Sequence, residues 1–410
     1  MKILHTADWH LGKRLNDYTR IEEQKEVLNE ICDIADKESV DVILVAGDLY
    51  DNFNPGNDAI ELFYQTMHRL AKNGERAVIA IAGNHDSPDR IEAPDPLARA
   101  CGIVFLGRPQ TEIKCFELET GLKISKSAPG FIELKLPEVN YPLRLLLTPY
   151  ANETSLKKFL GEEDKEEALR SLLKQSWQQH ADNYCDDQGV NILMAHLYFM
   201  QKDGEAPEEP DDEKPILHLG GAQAIFSEDI PEQMQYVALG HLHRYQTVAE
   251  EPCPMLYSSS PLGYSFSEAN QQKFVVIIEA EPKKKVQLKK VSLNAGRKLV
   301  RKRFEEVDQA LNWLQDNPKT FVELTLVSNT FIDAKTKKAL YQAHDGIVSI
   351  IPEISGDNTA SNEGTSKIDL NKDVRELFKD YFQHRKGQEP NDQLLALLNE
   401  VLDTEETGRD

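Results

Sequence analysis

The chain has 410 residues, with 69 Asp and Glu against 47 Lys and Arg and a net charge of -22 at pH 7. That length suggests two or three domains at roughly 150 residues each and is ample for a large core. The acidic balance argues against a free-standing nucleic-acid binder that works through bulk positive charge, but leaves room for a hydrolase that holds cations between its carboxylates and a phosphate, or borrows a basic partner.

Short apolar runs alternate with helical patterns over the first 280 residues. Ile3-Leu4 opens a strand that ends near Asp8. Val27, Leu28, Ile31, Ile34 and Ala35 recur at helical spacing, and Ile60 to Leu70 repeats that period. Val42 to Val45 and Val78 to Ala82 are continuous apolar runs, as strands buried on both faces require. Leu143–Leu147, Ile192–Ala195, Val237–Leu239 and Phe274–Ile278 are further strand candidates. Such alternation predicts an α/β sheet covered by helices. Residues 202–214 (KDGEAPEEPDDEK) read as a solvated acidic loop. A strand within Lys283–Leu293, a helix over Phe304–Leu314, a strand over Phe321–Val327, a helix over Ala334–His344 and a strand over Ile347–Ile351 predict a small βαβαβ domain, at 281–352. Residues 353–370 read as a linker. Beyond it, Val374, Leu377, Phe378, Tyr381 and Phe382 form one apolar stripe. Leu394, Leu397, Leu398, Val401 and Leu402 form a second. Together they predict a helical hairpin over 371–405 whose apolar face suits a partner.

No stretch approaches the roughly 20 apolar residues of a membrane span, and the opening MKILHTADWHLG has no signal-peptide core. Five scattered cysteines without a CxxC read as reduced thiols, the usage expected of a cytoplasmic protein.

The strand ends carry the chemistry. Asp8-x-His10 follows the first strand, Gly47-Asp48-x-x-Asp51 the second and Gly83-Asn84-His85-Asp86 the third. A lone His196 and then Gly240-His241-x-His243 end later strands. Sites in open α/β sheets gather at the carboxyl ends of strands, so these groups can converge across 200 residues of sequence. Each piece alone is weak, because strand-to-loop turns favour Gly and Asp anyway. Four in this order, each after an apolar strand, are specific. Their oxygen and nitrogen ligands suit Mn²⁺, Fe²⁺ or Zn²⁺ better than Ca²⁺. A carboxylate between two such clusters can bridge two ions in a hydrolytic centre. Neither a G-x-S-x-G elbow nor a P-loop is present, so the chain is no ordinary P-loop ATPase.

D-x-H, GD-x-x-D, GNHD, the strand-end His and G-H-x-H resemble the calcineurin-like metallophosphoesterases. HTADWHLG, VAGDLYD, IAGNHDSP and LGHLHRYQ together resemble the SbcD-type break-repair nucleases of that superfamily. These motifs span residues 1–265. The resemblance implies an α/β fold: a metallophosphoesterase β-sandwich flanked by helices over 1–280, with a small α+β cap at 281–352 that shapes DNA access. It implies that Asp8, His10 and His243 hold one metal ion, that Asn84, His196 and His241 hold the other, and that Asp48 bridges them. His218 is the weaker alternative to His196. His85 is then a catalytic group against the scissile phosphate, and Asp51 orients it by a hydrogen bond. Asn52 stands where protein Ser/Thr phosphatases carry an arginine that clamps monoesters, which fits a diester substrate.

The implied cofactors are two divalent ions, Mn²⁺ before Mg²⁺. The implied partners are DNA and an SbcC-type ABC ATPase gripped by 371–405, with the chain as a homodimer within a heterotetramer. ATP-dependent exonuclease action on duplex ends and endonuclease action on single strands and hairpins follow from the same resemblance, in DNA repair, recombination and replication. A small-molecule phosphodiesterase on the same fold is the competing reading. Lys13, Arg14, Arg20, Arg90 and Arg244 are the basic candidates to face DNA, with Lys283–Lys285 and Lys289–Lys290 in the cap.

Overall fold

The computed structural model describes residues 1–152, 165–202, 224–328 and 332–354, with isolated positions between and beyond them. Residues 1–353 form one compact unit and 354–410 a second. The acidic loop, the linker and the helical hairpin lie, apart from isolated positions, outside the described residues. So does His218.

Two sheets face each other. One has the order Gln287–Leu293, Lys273–Glu279, Lys2–Thr6, Val42–Ala46, Ala77–Ile81, Ile103–Leu106. Lys2–Thr6, Val42–Ala46, Ala77–Ile81 and Ile103–Leu106 run parallel. The other has eight strands, with Leu143–Thr148, Val190–His196, Tyr236–Gly240 and Met255–Tyr257 parallel at its centre. Side chains alternate across each strand, so an unbroken apolar run must feed two cores. Ile3, Val42, Leu44 and Ile79 point inward against Leu145, Ile192 and Met194 of the other sheet. Leu4, Ile43, Val45 and Val78 point outward against Val27, Leu28 and Ile31 of the helix Ile21–Lys37, and Phe63 and Met67 of the helix Asn57–Ala71. Leu146, Leu193 and Val237 meet Leu169, Leu173 and Trp177 of a third helix, Lys165–Tyr184. The result is the sandwich flanked by helices. All five cysteines are free thiols. Among the described residues no helix is long and apolar enough to cross a membrane.

The small domain differs from the sequence expectation in its first strand. The strand inside 283–293 is Gln287–Leu293, and it pairs antiparallel with Lys273–Glu279 as the edge of the first sheet. Lys298–Phe304 opens the three-stranded small sheet instead, parallel to Thr320–Ser328, with Ile347–Ile354 on the other side. That strand, KLVRKRF, fully buries only Leu299, so a search for apolar runs passes over it. It also displaces the expected helix start from Phe304 to Val307.

This small sheet and its two helices have their own core around Leu314, Val322, Leu324 and Leu340. The domain docks on the loop that follows the first Asp-x-His turn. Leu15, Leu299 and Phe321 are buried together there. The guanidinium groups of Arg20 and Arg297 lie 5.0 and 5.1 Å from the centre of the Phe321 ring. Tyr18 donates its hydroxyl hydrogen to the Ile347 carbonyl at 2.9 Å. Arg20, expected to face DNA, is 1% exposed. It donates to Glu23 and to the Gly263 carbonyl, and its guanidinium lies against the Phe321 ring of the small domain.

Candidate metal centre

All seven expected ligand residues and His85 come together where the parallel strands end. Two groups of expected ligands form there, Asp8, His10 and His243, and Asp48, His196 and His241, and a third set, His10, Asp51 and His85, lies beside them. In each, one ligand atom per residue lies within 4.8 Å of the others. Asp48 stands between the groups, its Oδ2 being 3.5 Å from His10 Nε2 and 3.4 Å from His196 Nε2. Asn84 Oδ1 is 3.0 Å from both His196 Nε2 and His241 Nδ1.

Backbone geometry puts them there at a cost. Asp8, His10, Asp48 and His241 have φ values of 56°, 43°, 48° and 112°. Non-glycine residues avoid this region by roughly 1–3 kcal/mol each, and strain of that kind persists only where the surroundings over-determine it. Two motif glycines permit the close approach. A Cβ on Gly83 would stand 2.1 Å from Asp48 Oδ1, and one on Gly240 would stand 1.8 Å from the Ala46 carbonyl.

Residues outside the expected set tie these turns together. Asp86 is buried and accepts hydrogen bonds from Leu49 N and Tyr50 N at 2.9 Å and from Gly83 N at 2.8 Å, joining the Asp48 loop to the Asn84–His85 loop. Gln24, from the first helix, donates to the His10 carbonyl at 2.8 Å and accepts from Gly12 N at 3.0 Å. The GNHD motif contains Asp86, but nothing in the sequence separates a stapling carboxylate from a ligand. Gln24 leaves no local signal at all.

The site's electrostatics are those of crowded charge out of water. Burial raises the Asp8 pKa to about 6 against the lowering effect of His196 and His243. Burial also pushes His241 down to about 3, helped by the neighbouring His196, and holds His10 well below its ordinary value. Those two imidazoles are therefore neutral, as ligands must be. For His196 burial is the largest influence and lowers its pKa, but Asp48 and Asp8 together outweigh it and lift it to about 9. Its Nδ1 donates to the Ala46 carbonyl at 2.8 Å, which turns Nε2 toward Asn84 Oδ1 at 3.0 Å and Asp48 Oδ2 at 3.4 Å. Asp8 Oδ2 and His10 Nδ1 are buried without any hydrogen-bond partner. Orphaned oxygen and nitrogen atoms among imidazoles and carboxylates fit divalent cations.

His85 and Asp51 depart from one expectation. His85 is half-buried at the mouth of the site, and its backbone N–H donates to Asp48 Oδ1 at 2.9 Å. Its Nδ1 donates to the backbone carbonyl of Asp51 at 2.8 Å, not to the carboxylate. The Asp51 carboxylate turns to Lys13 Nζ, 3.4 Å away. The loop geometry has already supplied His85 with an acceptor, and the lysine offers the carboxylate a full charge.

Residues 1–245 match the family described as Calcineurin-like phosphoesterase. A Bacillus subtilis protein, named as the SbcD component of the nuclease SbcCD, is 32% identical over 98% of this chain and 97% of its own length. The chain belongs to the calcineurin-like phosphoesterases, in the SbcD family. Two further relatives carry the same name: one from Staphylococcus epidermidis, 27% identical over 99% of this chain and 100% of its own, and one from Rhodobacter capsulatus, 32% identical over 68% and 66%. As a family member this chain is a metal-dependent phosphodiester hydrolase, and the convergent carboxylates and imidazoles are where divalent ions fit.

Proposed function

We propose that the chain is the nuclease subunit of an SbcCD-type complex and hydrolyses DNA phosphodiesters with two divalent ions, Mn²⁺ in preference to Mg²⁺. The observation that carries this reading is Asp48, with Asp8, His10 and His243 on one side, Asn84, His196 and His241 on the other, and His85 at the mouth. Asp8, His10 and His243 would hold one ion, and Asn84, His196 and His241 the other, with Asp48 shared. Bound there, the ions would supply Lewis-acid polarisation of the phosphate and make water a nucleophile near neutral pH.

The chain's own residues do the rest. Burial keeps His10 and His241 unprotonated. The bond from His85 Nδ1 to the Asp51 carbonyl fixes that ring, which leaves Nε2 to face the scissile phosphate. There the imidazolium form of His85 would donate its Nε2 hydrogen to the developing charge and pass that proton to the leaving oxygen, ending as the imidazole that keeps its hydrogen on Nδ1. A diester carries less charge than a monoester, which agrees with Asn52 in place of a clamping arginine.

The relatives' printed names support an SbcC-type ATPase as partner. We assign its docking to 371–405, with the small domain beside the cleft controlling DNA access, and a homodimer within a heterotetramer in the cytoplasm. ATP would act on the partner and give exonuclease action on duplex ends and endonuclease action on hairpins and single strands, in DNA repair, recombination and replication. The purified chain with Mn²⁺ should cut a labelled DNA hairpin, and His85→Ala should bind metal yet fail to cut. Hydrolysis of a small nitrophenyl diester alone, even with an SbcC-type ATPase added, would overturn the DNA assignment. A chain lacking 371–405 should keep hydrolysis but lose copurification with the ATPase; retained copurification would refute the docking site.

A further inference from the structure

The turn Phe266–Glu268 and the strand Lys273–Glu279 place an acid and a base side by side in the interior. Glu268 is 2% and Lys273 6% exposed. Withdrawing both charges from water is unfavourable unless every donor and acceptor is met, and the fold has no need of an ion pair where apolar side chains would pack. Here the needs are met, and they are met around one residue of the metal centre. Lys273 Nζ has three hydrogens and uses all of them: to the His243 carbonyl at 2.8 Å, to Ser260 Oγ at 2.9 Å and to Glu268 Oε2. Glu268 Oε1 accepts from Tyr264 N at 2.9 Å and stands 3.5 Å from His243 Nδ1.

We propose that Glu268, pinned by Lys273, is a positioning residue that fixes which ring nitrogen of His243 faces the metal centre. This rests on the metal-centre reading above. An ionised carboxylate only accepts, so the hydrogen belongs on Nδ1 and the lone pair on Nε2. Nε2 is the atom turned into the site, 2.9 Å from His10 Nε2. Lys273 holds the same histidine by its backbone carbonyl, so ring and main chain are oriented by one buried pair. His196 obtains the equivalent service from a backbone carbonyl, that of Ala46, which no side-chain change removes. Partners of this kind orient ligands and raise their basicity, and their loss weakens metal affinity about 10–100-fold.

The experiment is calorimetric titration of the full chain with Mn²⁺. The double variant Glu268→Gln/Lys273→Met removes both buried charges while roughly keeping the volume. It should melt near the wild-type temperature but show one of two Mn²⁺ sites weakened about 10–100-fold. Two sites of wild-type affinity would overturn the proposal and leave the pair a purely structural role. Nitrogen-15 spectra of the histidine rings in the metal-free wild-type chain decide the matter independently of whether that variant folds. His243, assigned by its loss in His243→Gln, should carry its hydrogen on Nδ1, and a hydrogen on Nε2 would overturn the proposal. Failure of the underlying reading looks different. If the wild-type chain bound fewer than two Mn²⁺ ions, or His243→Ala kept both sites, the metal centre itself would fall and the proposal with it.

Discussion

Gly83→Ala tests whether the close approach of two loops makes the centre. The new Cβ would stand 2.1 Å from Asp48 Oδ1, 2.3 Å from the Asp48 backbone nitrogen and 2.7 Å from Asp48 Cγ. Ordinary contact begins at 3.4 Å, so the Asp48 carboxylate must retreat by 3.4 − 2.1 = 1.3 Å, and the backbone nitrogen cannot swing away as a side chain does. Overpacking of that kind costs about 1–3 kcal/mol. The functional loss should be larger than the stability loss, because a misplacement of about 1 Å at reacting groups costs on the order of 100-fold in rate. Gly56→Ala is the matched control: nothing lies within 4 Å of its added Cβ, and its φ is -66°. It should change stability by no more than about 1 kcal/mol. Mn²⁺ stoichiometry, nitrophenyl-diester hydrolysis and thermal melting would be read on both variants. If Gly83→Ala bound two ions as tightly as wild type and turned over within about threefold of it, the Gly83–Asp48 contact would not control the centre.

Three further outcomes follow from other parts of the fold. Phe321→Ala removes the ring between Arg20 and Arg297 and should cost about 3–5 kcal/mol, speeding proteolysis of the small domain while Mn²⁺ binding persists. Unchanged proteolysis would show that the ring does not hold the domain. Glu133 lies buried against Arg144 at 3.1 Å; burial raises its pKa, but Arg144, Ser125 and Lys126 outweigh this and hold it below 4.5. A depressed carboxylate contributes stability that is present above its unfolded value and lost as pH falls through the folded one. Melting temperature should therefore fall more steeply below pH 4.5 in wild type than in Glu133→Gln, and parallel curves would refute the linkage. Since His85 bonds to the Asp51 main chain, Asp51→Asn should hydrolyse a nitrophenyl diester within about tenfold of the wild-type rate. A loss beyond about 100-fold would restore a role for the carboxylate.

The central strands and the site motifs were legible for one physical reason. A strand buried on both faces must be continuously apolar, and a ligand at its tip must be polar, so Val42–Ala46 followed by Asp48 reads plainly. Edge and outer strands obey no such rule. Lys298–Phe304 and Gln287–Leu293 are charged on their open sides, which hid the first and assigned the second to the wrong sheet. The helix Lys165–Tyr184 escaped too: Leu169, Leu173, Trp177 and Ala181 are its buried stripe, with Leu172 and Tyr184 only half-buried beside it and charged or amide side chains over most of the rest.

Sequence alone determined which residue types stand at which strand ends, and so the donor set and its order along the chain. Tertiary structure alone decided the partners of those residues. That Asp86 staples two loops, that Arg20 is spent on Phe321, that His85 leans on a main-chain carbonyl and that Glu268 and Lys273 enclose His243 all depend on contacts between distant segments or on the path of a loop. Local pattern records what a residue can offer; only packing determines which neighbour takes the offer, because a buried polar group must find its partner wherever the fold brings one.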